Sequence, residues 1–524
     1  MRVRVLAKNI LPFIFVTVFI ISQTVYFLWA EEHSTKKPKD NKAEEKAVDE
    51  QEEKFSETTH TITLDGKKHT YRAIAGEIII QKENKDGKGR LFYVAYHLKD
   101  EKVSKRPITF AFNGGPGSSS VWLHLGALGP KRLKLADDGG ALPPPVEYGD
   151  NPYSWLIFTD LVFVDPIGTG FSRSLPSDEK AKKHFYGFKQ DIESVAEFIR
   201  LYLTRNKRWT SPKFLVGESY GTTRVAGLTT HLLQRYGIDL NGIVLISPAL
   251  DFDTITFHPS NDLPYLLFLP TYTATVWHYK LLPNTLQRKD LSGLLDEVEQ
   301  FCLNKYSVLL AKGEDLSAEE RTTLLETLSV YSGLAKDIIQ ENNFRIDWID
   351  FTKNLLKKEK KLVGRMDSSI TRMQVDPSKH YLIYDPSLDT LYGSFASAMN
   401  QYVREDLGYE SDLVYEFLNS DVNKEWDWSS GLYGGQGFID VTHNLREALA
   451  INDNLQVFIA SGYYDLATPY FATQYTLNHL WLGEQRSKNI TTRNYTSGHM
   501  IYTHLEEHEN LFQDVKTFYK GTLD

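Results

Sequence analysis

A serine stands between two glycines, Gly217-Glu218-Ser219-Tyr220-Gly221, at the joint between an apolar run of strand type (residues 213–216) and a helix-compatible run (residues 224–233). A chain that passes from buried strand to helix in so few residues must turn sharply, and the glycines permit that turn. The Ser219 hydroxyl then projects above the sheet, at the positive N-terminal end of the following helix. Three β-type runs come first, at residues 71–80, 90–98 and 108–112, with Lys85-Asp86-Gly87-Lys88 as a turn between the first two. Short apolar runs at residues 161–164, 214–216, 243–246 and 457–459 are of the buried parallel-strand type. Helical patterns alternate with them; in residues 191–203, Ile192, Val195, Ala196, Ile199 and Leu203 recur on one face. This alternation predicts an α/β protein, a mostly parallel central sheet with helices on both faces.

The rhythm is interrupted between residues 253 and 398. Segments 291–310, 318–328 and 348–362 have helical period, with no comparable series of strands, which predicts a helical cap inserted over the sheet edge. The core domain is expected to comprise residues 59–252 and 399–524. Ahead of it, residues 31–58 are rich in Lys, Glu and Asp and almost free of apolar side chains, the composition of a disordered linker. Residues 1–30 carry Arg2, Arg4 and Lys8 before an apolar stretch that reaches Ala30, a signal-peptide pattern. Residues 10–30 are also about long enough to span a bilayer as an uncleaved anchor. Either way the bulk of the chain is expected outside the cytoplasm, secreted or periplasmic. A net charge of −9 over 524 residues lacks the basic excess of a nucleic-acid binder. The single cysteine, Cys302, excludes internal disulfides and a thiolate zinc cluster, and reads as a small buried apolar residue.

A serine hydroxyl is a poor nucleophile and needs a base that is itself oriented by an acid. Where a nucleophile elbow occurs, the chain order is Ser, then Asp, then His, on loops after late strands. Asp465 follows the strand-like run 457–461 and Gly462. His499 lies in Ser497-Gly498-His499-Met500, after the β-like run 490–495. A second glycine-rich loop, Asn113-Gly114-Gly115-Pro116-Gly117-Ser118-Ser119-Ser120, directly follows the strand at 108–112. Such a loop turns backbone N–H groups toward a scissile carbonyl and, with the N–H of Tyr220, makes an oxyanion hole. Neither Walker spacing nor G-x-G-x-x-G is present, which argues against a nucleotide cofactor; no cofactor is expected.

Taken together, Asn113–Gly117, Trp155 with residues 165–172, the elbow at 217–221, Gly462 with Asp465, and Gly498-His499-Met500 resemble the serine carboxypeptidase family, in the family's order and from about Tyr71 to the C-terminus. The resemblance implies the α/β-hydrolase fold with a cap, release of C-terminal residues from peptides and an acidic pH preference. Position by position it implies Ser219, Asp465 and His499 as the triad and Gly115 and Tyr220 as oxyanion donors. Asn113, Gly114 and Glu218 would hold the carboxylate of a peptide or protein substrate with a free C-terminus. Two departures stand out. The family's Gly-Cys-Ser-Ser is Gly117-Ser118-Ser119-Ser120 here, which with a lone cysteine suggests a bacterial-type branch without the family's disulfides. The family's Glu-Leu-Gly-Pro is Ala127-Leu128-Gly129-Pro130, which removes a glutamate that would share a proton with Glu218 and leaves desolvation alone to raise its pKa.

Two other readings are weighed. His504-Leu505-Glu506-Glu507-His508 matches the H-x-x-E-H pattern of zinc peptidases, but a solvated face of a terminal amphipathic helix explains it, and no metal is expected. The alternative function keeps the triad and changes the substrate, giving a serine esterase or acyltransferase.

Overall fold

The computed structural model describes residues 52–81, 87–99, 105–379, 382–431 and 437–524. The apolar N-terminal stretch, most of the charged segment after it, and part of the turn expected at 85–88 lie outside the described residues. Nine strands carry the architecture: β1 (Phe55–Leu64), β2 (Lys67–Gln81), β3 (Lys88–Leu98), β4 (Ile108–Phe112), β5 (Asp160–Val164), β6 (Lys213–Glu218), β7 (Gly242–Ile246), β8 (Gln456–Gly462) and β9 (Ile490–Tyr495). They lie in the order β1-β2-β3-β5-β4-β6-β7-β8-β9, and a short tenth strand, Arg173–Leu175, pairs with β3. The first three strands are antiparallel, as is the β3–β5 pair. Every pair from β5 through β9 is parallel. Strand β1 begins at Phe55, inside the segment expected to remain linker to residue 58. Its alternating sequence buries Ile62 and Leu64 on one side, enough to hold an edge strand on β2.

Strands β4 to β7 are buried along their whole length and β8 in all but its first residue, whereas the edge strand β9 is largely exposed; period-two alternation divides the buried side chains between two cores. Phe163, Phe214, Val216, Val244, Ile246, Phe458 and Ala460 face one side; Val162, Leu215, Ile243, Leu245, Val457 and Ile459 face the other. The covering helices are α1 (Phe188–Arg205), α2 (Tyr220–Tyr236), α3 (Leu263–His278), α4 (Leu291–Phe301), α5 (Ala318–Ser332), α6 (Asp389–Gln401), α7 (Thr442–Ile451) and α8 (Leu505–Leu523). Helices α6 and α8 cover the first face through Phe395, Met399, Phe512 and Val515; α1, α2 and α7 cover the second through Val195, Ile199, Leu228 and Leu445.

Helices α3, α4 and α5 build a third apolar cluster around Leu267, Leu294, Val298 and Leu328, with Cys302 buried in it. That cluster meets Tyr464, Leu466 and Phe471 of the segment after β8, so it rests beside the C-terminal ends of the parallel strands. The helical reading of residues 348–362 is corrected. The helix stops at Asn354, Lys360 takes a left-handed φ of 57°, and Lys361–Val363 pairs antiparallel with Thr371–Met373. No helix among the described residues is long and apolar enough to cross a membrane.

At the opposite end of the sheet a buried ionic cluster ties the strand starts together. Asp160 accepts from Arg106 Nε at 2.7 Å, Arg208 Nη1 at 2.5 Å and His97 Nδ1 at 3.2 Å. Burial works to raise this carboxyl, yet His97 and the two guanidiniums outweigh it and hold it well below the usual range. Asp160→Ala leaves two buried guanidiniums without their counter-charge. Such a break costs about 3–5 kcal/mol, and it is expected as a lowered midpoint in urea unfolding at constant slope.

Candidate active site

The C-terminal ends of β4, β6, β8 and β9 lead directly into the segments that carry Asn113, Ser219, Asp465 and His499. Ser219 sits at φ 59°, ψ −130°, a conformation that costs a non-glycine residue about 1–3 kcal/mol and persists only where its surroundings impose it. Here they do. Ser219 N–H donates to the Ile246 carbonyl at 3.0 Å, and its own carbonyl accepts from Thr222 Oγ1 at 2.6 Å. The flanking glycines are required by close approach: a Cβ on Gly217 would lie 2.3 Å from the Gly221 carbonyl oxygen, and one on Gly221 2.5 Å from that of Phe112.

Asp465 and His499 are brought into contact, with His499 Nδ1 2.7 Å from Asp465 Oδ2. Thr468 Oγ1 donates to the same oxygen at 2.8 Å, while Oδ1 accepts the backbone N–H groups of Ala467 and Thr468 at 2.7 and 2.9 Å. Both side chains are fully enclosed, and His499 Nε2 is buried without a hydrogen-bond partner among the described residues. Burial, the largest single influence, works to lower the imidazole pKa. The charge and hydrogen bond of Asp465, helped by Glu218, outweigh it and hold His499 above its ordinary 6.5. An imidazole anchored at Nδ1 and open at Nε2 is poised to accept a proton at Nε2.

Ser247 joins these loops to the elbow. It follows Ile246, whose register partner is Glu218. Its hydroxyl donates to the His499 carbonyl at 2.7 Å, and its carbonyl lies 3.0 Å from Thr468 Oγ1 as a second acceptor for that hydroxyl. A hairpin of the inserted region grips the other side. His499 N–H donates to the Met366 carbonyl at 2.6 Å, and Asp367 Oδ2 accepts from Gly498 N–H at 3.1 Å.

The glycine-rich loop presses on the elbow: a Cβ on Gly114 would lie 2.5 Å from Tyr220 N and 2.9 Å from Ser219 Cβ. Gly115 follows at φ 104°, closed to L side chains, and Tyr220 opens α2. Asn113 is fixed by Leu123 N–H, which donates to its Oδ1 at 3.0 Å, and by Arg224, which donates to its carbonyl at 2.8 Å. Arg224 in turn pairs with buried Asp191 at 2.7 Å. Glu218 is buried at the end of β6, and its Oε2 accepts from the Tyr502 hydroxyl at 2.6 Å. Burial pushes this carboxyl up to about 7, the Asp465 charge adding to the rise and His499, Tyr502 and Asn113 opposing it. The expectation that desolvation alone raises it is therefore corrected, because Asp465 contributes as well.

The solvated-face reading of residues 504–508 is corrected in part, since only Leu505 and Glu506 of the segment are exposed. Glu507 and His508 are buried. His504 Nε2 donates to Asp367 at 2.7 Å and His508 Nε2 to the Ala127 carbonyl at 2.9 Å, so the two rings serve different partners. Among the described residues no group of three or more His, Cys, Asp or Glu side chains is placed to hold a metal ion. Sequence reasoning passed over Ser247, Thr468, Asp367, Arg224 and Tyr502. None stands in a motif, and a phenol following Gly498-His499-Met500 was the only local signal for Tyr502.

Comparison with known proteins shows the family and the fold. The chain is 31% identical over 180 residues to "Serine carboxypeptidase-like 20" of Arabidopsis thaliana, covering 34% of this chain and 33% of the relative. It is 30% identical over 218 residues to "Pheromone-processing carboxypeptidase KEX1" of Yarrowia lipolytica, covering 40% and 31%. The matched stretch thus spans about a third of the length of these relatives. The crystal structure of Kex1(delta)p, a prohormone-processing carboxypeptidase from Saccharomyces cerevisiae, superposes with a TM-score of 0.53 at 16% identity, covering 85% of this chain and 92% of that one. That likeness establishes the fold, the α/β-hydrolase arrangement of a mostly parallel sheet. Residues 75–518 match the family model for serine carboxypeptidase. The chain belongs to the serine carboxypeptidase family.

Proposed function

We propose that the protein is a serine-type carboxypeptidase that releases C-terminal residues from peptides through an acyl-enzyme on Ser219. The observation that carries this reading is the Asp465–His499 pair at 2.7 Å, with the far imidazole nitrogen unpaired, tied through Ser247 to the strand beside the elbow. Ser219 Oγ attacks the last peptide carbonyl while His499 Nε2 takes its proton, and the oxygen that becomes negative is received by the N–H groups of Gly115 and Tyr220. His499 then protonates the departing amine. Water, deprotonated by the same nitrogen, attacks the acyl ester and frees Ser219.

Asn113, Gly114 and Glu218 receive the terminal carboxylate. An ionised Glu218 would repel it by about 4 kcal/mol at 4 Å and an effective dielectric near 20, whereas a protonated one donates a hydrogen bond to it. His499 must be neutral and Glu218 neutral at once. The first fails as pH falls below the raised imidazole pKa and the second as pH rises through about 7, so a bell-shaped profile near neutrality is expected for free-acid substrates. The inserted helices, beside the strand ends, are proposed to set side-chain preference, and the basic and apolar N-terminus to export the chain. The test is mass-spectrometric digestion of a peptide library presented as free acids and as C-terminal amides. Sequential loss of single C-terminal residues from the acids supports the reading. Internal cleavage, or turnover of simple esters alone, overturns it in favour of an endopeptidase or of the esterase and acyltransferase alternative.

A further inference from the structure

The family resemblance implies a second glutamate at the position that Ala127 holds, yet Glu218 is not left to itself. The Tyr502 hydroxyl donates to Glu218 Oε2 at 2.6 Å, and both side chains are buried. Asn113 completes the triangle. Its Oδ1 is engaged by Leu123 N–H, so its amide nitrogen faces Glu218 and Tyr502. The phenol has little freedom. A Cβ on Gly126 would lie 2.5 Å from Tyr502 Cε2, so the ring lies directly on that backbone. Arg132 clamps the same two residues, Nε donating to the Gly126 carbonyl at 3.1 Å and Nη2 to the Tyr502 carbonyl at 2.9 Å.

We propose that Tyr502 is a positioning residue for recognition of the substrate carboxylate: by occupying Oε2 of Glu218 it leaves Oε1 to carry the proton toward the substrate, and it sets the pH above which that recognition fails. The proposal rests on the carboxypeptidase reading above. A neutral carboxyl has one O–H, and a phenol that donates to one oxygen makes that oxygen the carbonyl. The same donor favours the ionised form. The other groups that act on Glu218 are His499 and Asn113, which also favour ionisation, and Asp465, which opposes it; Arg132 stands behind the ring on backbone carbonyls. Removing the phenol hydroxyl therefore keeps Glu218 protonated to higher pH. A hydrogen bond to a charged group corresponds to about one pH unit or more.

The experiment measures kcat/KM from pH 5 to 9 for a blocked dipeptide and for its methyl ester, and follows the acid-to-ester ratio. Dividing by the ester removes what happens at Ser219 and His499. In the natural protein the ratio should fall as pH rises through neutrality. In Tyr502→Phe the fall should move up by about one unit, giving a roughly tenfold higher ratio on the alkaline side relative to its own acid plateau. Gly126→Ala, which displaces the ring and keeps the hydroxyl, should move it the same way and serves where the phenylalanine variant does not fold. A falling ratio with an unmoved midpoint in the variants overturns the role of Tyr502 and leaves the carboxypeptidase reading standing. A ratio near zero at every pH in the natural protein overturns both.

Discussion

Ser219→Ala is expected to lower kcat on peptide substrates on the order of a million-fold, and His499→Ala by a similar amount. The alanine removes only an oxygen from a residue that the elbow already forces to φ 59°, so the backbone has no new strain to relieve and the protein should fold. Without Oγ there is no acyl-enzyme. With Oγ but no imidazole, the hydroxyl keeps its proton and remains a poor nucleophile. Because the groups act on one proton in one step, the double variant should be no worse than either single one, the residual rate reflecting the oxyanion donors and binding. Steady-state kinetics on purified, folded variants are the measurement, together with labelling by a fluorophosphonate, which should attach to the natural protein at Ser219 alone. A serine-free variant that still turned over within a hundredfold of the natural protein would place the chemistry elsewhere.

The features legible in the sequence share a cause, which is that they are local. Strands β4 to β8 are largely apolar runs of about five to seven residues bounded by turns, and their limits follow from their own side chains. Ser219, Asp465 and His499 were readable as candidates because each follows a strand and neighbours a glycine whose missing Cβ is itself forced: one on Gly462 would lie 2.2 Å from the Gly498 carbonyl oxygen, and one on Gly498 2.4 Å from Asp367 Cβ. What stayed hidden depends on partners far apart in the chain. Tyr502 meets Glu218 across 284 positions and His504 meets Asp367 across 137. Helical periodicity placed Glu507 and His508 on a charged face, because no pattern in α8 announces that a carbonyl at Ala127 and the backbone N–H and hydroxyl of Thr496 wait for them. Residues 361–363 failed differently. A charged run that looks helical is broken by Lys360 in a left-handed conformation, and propensity does not forbid a lysine there strongly enough to show.

Asp465→Asn is expected to leave the fold intact and still cost on the order of 10⁴ in kcat, for a reason fixed by the hydrogen bonds around the carboxylate. Oδ1 accepts two backbone N–H groups, from Ala467 and Thr468, and neither can turn away. An asparagine must therefore keep its carbonyl oxygen there and point its NH2 toward Thr468 Oγ1 and His499 Nδ1, where Oδ2 now accepts. The threonine hydroxyl adapts, since it already has the Ser247 carbonyl as a second acceptor at 3.0 Å. The imidazole adapts only by changing tautomer. Nδ1 becomes the acceptor, the proton moves to Nε2, and the nitrogen that should take the Ser219 proton is a donor. The charge is lost along with the orientation. Asp465 is the main group holding His499 above its ordinary pKa against the effect of burial, so its removal lowers that pKa. The sign follows: the base is neutral over a wider range, and the acid limb of kcat moves to lower pH even as the plateau collapses. A Glu218 freed of the Asp465 charge should ionise more readily, which draws the alkaline limb for free-acid substrates downward too. Both limbs shifting to lower pH, with turnover reduced by about four orders of magnitude, is a signature that simple misfolding cannot produce. An asparagine variant with near-normal turnover and an unmoved acid limb would remove Asp465 from the triad.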